Sequence, residues 1–349
     1  MDRSVFLNAL FLRIKRAIAI CFLGIFSVVF SFPSCAPVPE IRPPHTMGAW
    51  VVYWDAERGL KELDEHGTLF NRVSFFAYEL DDEGNLRYAP GFEDIKTRFL
   101  ALAKKYGFSP WVTLVNDVRK DDRVSLKDTE IIRMVLDNPM LYKKHIQDIV
   151  KRVKEDGFEG LDLDYERLCD SDEEKFRGFV TELAQGLKKD GLGLNVILEP
   201  ERGPSPSSGS VAVTVMAYNL HGFGSSPGPR STPHFISKLQ ERGSGDARGA
   251  PDLALAVGGY CWETDGKVKQ LDWVSGQRLA ASAPKKGRGV FTSVPYACLE
   301  NGAEIWFEDA ASIREKWVAA YQAGFRNLMI WRLGGNDEHL FKLLSKYKR

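Results

Sequence analysis

The chain has 349 residues, enough for one large domain or two ordinary ones. Hydrophobic residues make up 44% and charged residues 27%, a balance typical of a globular protein with a sizeable core. Lysine plus arginine and aspartate plus glutamate both number 47, so the formal net charge is zero, which argues against a nucleic-acid-binding protein. The six histidines and five cysteines form neither a CxxC nor an HxxxH pattern, so the sequence predicts no metal site and no cofactor.

Residues 1–34 have the pattern of an export signal. Arg13, Lys15 and Arg16 precede the uninterrupted apolar run IAICFLGIFSVVFSF, which is a basic region followed by a hydrophobic region. A single membrane-spanning anchor is the alternative, but the run falls short of the roughly 20 residues needed to cross a bilayer. We therefore predict that the rest of the chain is exported to the cell envelope.

The residues after the apolar run predict a lipid anchor. Ser34 stands directly before Cys35, which resembles a bacterial lipoprotein cleavage site. We predict that Cys35 is lipidated and that the proline-rich residues 35–46 form an extended tether to a single domain, residues 47–349, which acts as a monomer. Export permits disulfides, and of the three later cysteines Cys261 and Cys298 are the better candidates for a pair.

From Trp50 onward, eight β-rich apolar runs alternate with amphipathic helical patterns. The predicted strands are residues 50–54, 73–80, 109–116, 160–165, 193–199, 211–218, 252–260 and 327–333. Helical patterns between them include residues 93–106, 141–156, 171–190 and 308–324. This alternation predicts βαβ units and a parallel sheet, and eight strands in a chain of this length predict a (β/α)8 barrel. A doubly wound open sheet is the rival, but no glycine-rich phosphate loop follows the first strand.

Two connections depart from a simple repeat. Residues 200–210 contain three prolines and no helical pattern, so the crossover between strands five and six is predicted to be short and irregular. Residues 261–307, between strands seven and eight, are long enough for a small β excursion or lid.

The predicted fourth strand carries three acids at every second position. Asp162, Asp164 and Glu166 alternate with Leu161, Leu163 and Tyr165 in the stretch GFEGLDLDYERL. Side chains alternate faces along a strand, so the acids would point into the barrel while the leucines meet the helices. Burying carboxylates in line is costly unless they are hydrogen-bonded, share protons or meet a ligand. The row also runs toward the carboxyl end of the strand, where barrel enzymes hold their active sites.

A solvated strand face or an internal salt-bridge ladder is the alternative interpretation of this row. The flanking residues are too apolar for a solvated face, and no matching row of lysines or arginines is found on another predicted strand. We therefore interpret the three acids as a catalytic site.

The stretch FEGLDLDYE resembles the strand-four signature of glycoside hydrolase family 18, with Glu159 where the family usually begins with aspartate. TVMAYNLHG resembles the strand-six Met-x-Tyr-Asp element, with Asn219 in place of the acid. The stretches FFAYELDDEGNL, PWVTLVN, AEIWFEDAASIREKW and GFRNLMIWRLGGND resemble the spore-germination and spore-cortex-lytic branch. The likeness spans roughly residues 47–340.

The resemblance implies a mechanism in which the acetamido oxygen of the substrate attacks the anomeric carbon. Glu166 would protonate the leaving oxygen, Asp164 would orient the acetamide N–H, and Asp162 would share a proton or hydrogen bond with Asp164. Tyr218 would bind the acetamide carbonyl. The resemblance places Met216 beneath the site, Trp331 as the floor under the sugar, and Asn219 beside Tyr218. Tyr53, Tyr78 and Asn116 lie near predicted strand ends and are candidates to line the cleft. Plain packing within the barrel is the alternative for Tyr218, Trp331, Met216, Tyr53, Tyr78 and Asn116.

The expected function is retaining hydrolysis of β-linked N-acetylglucosamine polysaccharides, with peptidoglycan as the favoured polymer. A chitinase or an endoglycosidase acting on N-glycans is the enzymatic alternative. The non-enzymatic alternative is a lectin of the same family, which binds glycans without cutting them. Such lectins typically lose the terminal acid of the motif, which is present here as Glu166, whereas Asn219 and the short 200–210 crossover favour the lectin.

Overall fold

The computed structural model describes residues 42–121, 123–200, 211–243 and 251–348. Eight parallel strands form its centre, numbered here in chain order: β1 (Thr46–Val52), β2 (Arg72–Leu80), β3 (Ser109–Lys120), β4 (Gly160–Asp164), β5 (Gly193–Leu198), β6 (Ala212–Met216), β7 (Asp252–Ala256) and β8 (Asn327–Trp331). Each strand pairs with the next, and β8 pairs with β1, so the sheet closes. The predicted (β/α)8 barrel is confirmed.

Nine α-helices are found in the described part of the chain. They are α1 (Ala56–His66), α2 (Phe92–Tyr106), α3 (Thr129–Asp137), α4 (Pro139–Glu155), α5 (Glu173–Lys189), α6 (Pro233–Gly243), α7 (Trp273–Ala281), α8 (Ala310–Gln322) and α9 (Glu338–Tyr347). Two short strands, Leu86–Tyr88 and Arg123–Ser125, fold back antiparallel on β2 and β3. Among the described residues no helix is both long and apolar enough to span a membrane.

Local sequence explains how consecutive helices are separated. Asn138 ends α3 and begins α4, and its side chain accepts hydrogen bonds from the N–H groups of Met140 and Leu141. Pro139 occupies the first position of α4, where its missing N–H costs no helical hydrogen bond and its fixed φ suits the helix. The chain therefore turns at Asn138, and α4 packs against α3 and α5.

A layer of polar side chains crosses the barrel interior at the level of Asp162, the most deeply buried of the three acids. Ser74 of β2 is hydrogen-bonded to Thr113 of β3 at 2.8 Å between the two hydroxyl oxygens. Asn195 of β5 donates to Asp162 of β4 at 2.7 Å and accepts from the Thr214 hydroxyl of β6 at 3.2 Å. These bonds satisfy polar groups that would otherwise be costly to bury.

The predicted excursion between β7 and β8 is an antiparallel sheet of five strands. In spatial order the strands are Val268–Leu271, Gly258–Trp262, Glu304–Glu308, Pro295–Cys298 and Lys285–Arg288. Helix α7 packs on one face of this sheet, over the buried Cys261, Ala297, Ile305 and Phe307. The predicted excursion is confirmed, whereas the predicted 200–210 crossover lies, apart from Pro200, outside the described residues.

The suggested disulfide between Cys261 and Cys298 is wrong. Both cysteines are free, and so is Cys169. The strand Glu304–Glu308 lies between their two strands, with Ile305 paired to Cys261 on one side and to Ala297 on the other. Two strand spacings amount to about 9.5 Å, beyond the roughly 7 Å that a disulfide can bridge between Cα atoms.

The first described residues are fixed at the amino-terminal end of the barrel strands. The His45 N–H donates to the carbonyl oxygen of Arg326, just before β8, at 2.7 Å. The indole N–H of Trp317 in α8 donates to the carbonyl oxygen of Arg42 at 2.9 Å. This end of the barrel is opposite the end at which the acids lie.

Candidate active site

The three acids lie at the carboxyl end of β4, and the exposure of their side chains to solvent increases from the first acid to the third. The side chain of Asp162 is fully buried, Asp164 is the last residue of the strand, and Glu166 is 16% exposed just beyond it. Leu161, Leu163 and Tyr165, on the opposite face, are buried against the helix layer. The predicted separation of the two faces is confirmed, and it places Glu166 at the mouth of the barrel.

Asp162 is held by groups from neighbouring strands. One oxygen, Oδ1, accepts from Asn195 and lies 3.8 Å from the guanidinium of Arg72. The other oxygen, Oδ2, is buried without a hydrogen-bond partner among the described residues, and the same is true of Asp164 Oδ1. Each of the two carboxyl groups thus keeps one buried oxygen that a proton or a bound ligand would satisfy.

Asp164 is the acid whose protonation the fold changes most clearly. Burial raises its pKa to about 8, and the nearby charges of Glu166 and Asp117 act in the same direction, while Lys127 opposes them. A proton is therefore retained at Asp164 near neutral pH, although the side chain is a carboxyl group. In this protonated form Asp164 places no negative charge beside Glu166.

A lysine that the sequence interpretation did not single out lies among the acids. The ammonium Nζ of Lys127 is 2.8 Å from Glu166 Oε1, 3.5 Å from Asp164 Oδ2 and 3.8 Å from Asp117 Oδ1. Its side chain is only 15% exposed. The acids are therefore paired with a cation, as in the alternative interpretation of the row as an internal salt-bridge ladder. The cation is one lysine that contacts three acids, and not a row of lysines or arginines on another strand.

Asn116 positions Glu166 and does not line the cleft as predicted. Its side chain is fully buried, and its oxygen accepts from the Glu166 N–H at 3.0 Å. Its amide nitrogen donates to the Glu166 carbonyl oxygen at 3.0 Å and to the Asp128 carbonyl oxygen at 3.3 Å. The backbone of the candidate acid is therefore fixed from β3, through both its N–H group and its carbonyl oxygen.

Tyr218, Trp331 and Met216 come together beside the acids. The rings of Tyr218 and Trp331 are nearly parallel, with centroids 6.5 Å apart, and Met216 is buried in the same cluster. Burial raises the pKa of Tyr218 well above its usual value, and Asp164 and Glu166 add to this, so its hydroxyl remains a hydrogen-bond donor. Asn219, next in the chain, is exposed.

The two remaining predicted cleft residues differ in position. Tyr53 is half-buried near Trp331, and its hydroxyl accepts from Arg119, whose guanidinium also binds Glu79. Tyr78 is fully buried and packs against Phe92 of α2, with its hydroxyl donating to Asp156 at 2.5 Å. The prediction for Tyr78 is wrong because the side chain points into the helix layer, away from the barrel mouth.

The described residues contain no group of three or more histidine, cysteine, aspartate or glutamate side chains placed to hold a metal ion. The acids of the site instead contact cations of the protein itself, Lys127 and Arg72.

The raised pKa of Asp164 predicts a pH dependence of stability. Between its ordinary pKa of 3.8 and about 8, the unfolded chain releases this proton and the folded protein keeps it, so the wild-type free energy of unfolding falls as the pH rises. Asp164→Asn removes this contribution. We expect the variant to gain stability relative to wild type from about pH 4 to about pH 8, measured by urea unfolding at several pH values. Asp121→Asn, at an exposed position, is the control; a pH-independent difference for Asp164→Asn would contradict the assignment.

A closed (β/α)8 barrel with three in-line acids at the carboxyl end of β4 is an arrangement typical of glycoside hydrolases, and it resembles that of family 18. No family model matches the sequence. The chain is similar to the uncharacterized glycosylase YvbX of Bacillus subtilis (strain 168), with 21% identity over 305 residues that cover 81% of this chain and 86% of that protein. It is also similar to the cortical fragment-lytic enzyme of the same organism, with 24% identity over 244 residues that cover 62% of this chain. Those residues cover 56% of the relative, so this chain spans about half of its length.

Solved structures share the fold. The Bacillus cereus spore cortex-lytic enzyme SleL superposes with a TM-score of 0.75 at 18% identity, covering 88% of this chain and 75% of that one. A class V chitinase from Pseudomonas fluorescens Pf-5 also gives a TM-score of 0.75, at 20% identity, covering 88% of this chain and 100% of that one. The predicted resemblance to family 18 and its spore-cortex-lytic branch is confirmed by these relatives and structures taken together.

Proposed function

We propose that this chain hydrolyses β-linked N-acetylglucosamine glycans with retention of configuration, and that its substrate is peptidoglycan. The observation that carries the proposal is the row of Asp162, Asp164 and Glu166, graded from fully buried to partly exposed at the barrel mouth. Only the last acid reaches the space in which a glycosidic oxygen could lie. This arrangement suits a reaction in which one protein acid serves the leaving group and the substrate supplies the nucleophile.

The chemistry proceeds in two steps. The acetamido oxygen attacks the anomeric carbon while Glu166 donates its proton to the leaving oxygen, which breaks the glycosidic bond and forms a cyclic oxazolinium ion. Asp164, its proton passed toward Asp162, faces the developing positive charge as a carboxylate. Water then attacks the anomeric carbon, Glu166 accepts its proton, and the ring opens to restore the acetamide. The Tyr218 hydroxyl donates a hydrogen bond to the acetamide oxygen, and Trp331 supports the sugar ring.

The choice of peptidoglycan is supported by the names of the relatives, a cortical fragment-lytic enzyme and a spore cortex-lytic enzyme. Chitin is the second candidate, favoured by the equal structural similarity to a class V chitinase. Mass spectrometry of products, after incubating the domain with purified peptidoglycan and separately with chitin oligomers, distinguishes them. Fragments ending in reducing N-acetylglucosamine from peptidoglycan alone support the proposal. Binding without any cleavage would indicate a lectin.

We also propose that Cys35 is lipidated and anchors the domain in the cell envelope of a bacterium. The support is the sequence FPSC directly after the apolar run. In cells that express the full gene, Cys35→Ala is expected to move the protein from the detergent phase to the aqueous phase and to change its electrophoretic mobility. A variant that stays in the detergent phase with unchanged mobility would show that the apolar run itself is retained as the anchor.

A further inference from the structure

Arg230, in the segment between β6 and α6, is a buried cation without an acidic partner. The residue is 5% exposed. Among the described residues its guanidinium forms no ion pair, and its Nε is buried without a hydrogen-bond partner. Lys316, whose charge interacts with that of Arg230, is itself paired with Glu308. Burying an unpaired charge is costly, so the contacts that Arg230 does make must offset this cost.

The contacts of the Arg230 side chain are two tyrosine rings and one carbonyl oxygen. The guanidinium lies over the ring of Tyr218 and over the ring of Tyr260, 5.1 Å from each ring centroid. Its Nη1 donates to the carbonyl oxygen of Val257, which directly follows β7, at 3.2 Å. The Arg230 carbonyl oxygen accepts from the Leu220 N–H at 3.1 Å, which closes the loop after β6. The cation is therefore fixed on the ring of the tyrosine that is proposed to bind the acetamide.

We propose that Arg230 is a positioning residue that holds the Tyr218 ring and strengthens its hydroxyl as a hydrogen-bond donor to the substrate acetamide. The inference rests on the proposed function. A cation on the face of an aromatic ring is attracted by the π electrons, and the attraction is larger where water is excluded. This contact restrains rotation of the ring. The electron density that the ring directs toward the cation leaves its O–H group more polar, and a more polar O–H group donates a stronger hydrogen bond.

The other polar neighbours of Tyr218 do not supply this contact. Asn219, which stands where the family motif has an acid, is exposed and is not hydrogen-bonded to Tyr218. Asp164 and Glu166 interact electrostatically with Tyr218, but both are acids and cannot make an attractive contact with the face of its ring. Arg230 is the cation that the described residues place on the Tyr218 ring.

The test is a double-mutant cycle between positions 230 and 218. Arg230→Met removes the charge and keeps a long side chain, Arg230→Lys keeps the charge, and Tyr218→Phe removes only the hydroxyl. Calorimetry measures the dissociation constant of a thiazoline analogue of N-acetylglucosamine, which mimics the cyclised intermediate, for the wild type and for the single and double variants. Arg326→Met is the matched control, because the Arg326 guanidinium lies 4.2 Å from the centroid of the Tyr321 ring, at the opposite end of the barrel.

Arg230→Met is expected to weaken binding of the analogue about tenfold when Tyr218 is present, which is the size of effect that a desolvated cation–π contact allows. In the Tyr218→Phe background the same change should have little further effect, because the hydroxyl on which Arg230 acts is gone. Arg230→Lys should restore most of the affinity, and Arg326→Met should leave it unchanged. Equal losses in both backgrounds would show a purely structural role and would overturn the proposal.

A second measurement needs neither turnover nor a ligand. Carbon-13 NMR of labelled tyrosine follows flipping of the Tyr218 ring in the free protein, and the spectrum of Tyr218→Phe assigns its resonance. Arg230→Met is expected to speed this flipping, and an unchanged rate in the folded variant would overturn the proposal. Arg230→Gln, which can still donate to the Val257 carbonyl, takes the place of Arg230→Met if thermal unfolding shows that Arg230→Met does not fold. If the wild type neither cleaves glycan nor binds the analogue, the proposed function fails, whereas the ring measurement still decides whether Arg230 holds Tyr218.

Discussion

Replacing Glu166 with glutamine is expected to reduce turnover by about 10²–10⁴-fold, the usual contribution of general acid catalysis. Glutamine keeps the size of the side chain and an oxygen that can accept a hydrogen bond from Lys127. It cannot donate a proton to the leaving oxygen. The backbone of residue 166 is fixed by Asn116, so the fold should be unchanged. Sugar binding should therefore persist, and calorimetry with a chitin oligomer can measure it alongside turnover.

Glu159→Gln is the matched control for this experiment. It makes the same chemical change just before the amino-terminal end of β4, at an exposed residue that accepts a hydrogen bond from Ser109. We expect this control to keep nearly wild-type turnover. If Glu166→Gln retained more than about a tenth of wild-type turnover, well above what loss of a general acid permits, the acid role would belong to another residue.

The second large effect concerns the nucleophile. A thiazoline analogue of N-acetylglucosamine mimics the cyclised intermediate, and its ring nitrogen should contact Asp164. We expect Asp164→Asn to weaken binding of this analogue far more than binding of the intact sugar. The reason is that positive charge opposite Asp164 develops only along the reaction path, and species resembling the transition state receive the additional stabilisation. Inhibition constants for the analogue and dissociation constants for the sugar provide the comparison.

A substrate that carries a hydroxyl in place of the acetamide tests the same mechanism without a variant. It should bind beside Trp331 but resist cleavage, because it lacks the nucleophilic oxygen. Cleavage of this sugar at a rate comparable to that of the acetamido sugar would require a second protein carboxylate as nucleophile. The proposed role of Asp164 would then be wrong.

The sequence was sufficient to predict the barrel and the acid row because both depend on simple periodicities. Alternating faces along β4 place Asp162, Asp164 and Glu166 on one side whatever the details of packing. The alternation of strands and helices likewise determines a closed parallel sheet without reference to loops. The β excursion was predictable from its length and apolar runs, although its strand order was not, and the suggested cysteine pair failed for that reason.

Tyr78 shows where a periodicity rule fails. Counting by two from Phe76, which contacts Trp331, places Tyr78 on the same inward face. The register between β2 and β3 shifts between Phe76 and Tyr78 and again before Leu80, and Tyr78 lies in the helix layer instead. Such irregularities rotate side chains to the other face of a strand, and the local sequence carries no clear sign of them.

Lys127 was missed for a different reason. It lies in a turn after the short strand Arg123–Ser125, on neither a strand nor a helix. Its approach to Glu166 depends on this turn, in which its N–H donates a hydrogen bond to Asp117. The stretch NDVRKDDRVSLKD does carry a signal, because polar residues follow the carboxyl end of a barrel strand, where functional side chains concentrate. That signal identifies a candidate segment, but which of its several cations reaches the acids is decided by tertiary packing.

The way the chain enters the barrel has a consequence for how the enzyme would meet an insoluble polymer. Arg42 and His45 are bonded to Trp317 and to the carbonyl of Arg326 at the end of the strands remote from Glu166. The described domain therefore begins at the end of the barrel that is remote from the acids. The first described residues do not obstruct the mouth beside Glu166, so a long polymer could cross that mouth without meeting them.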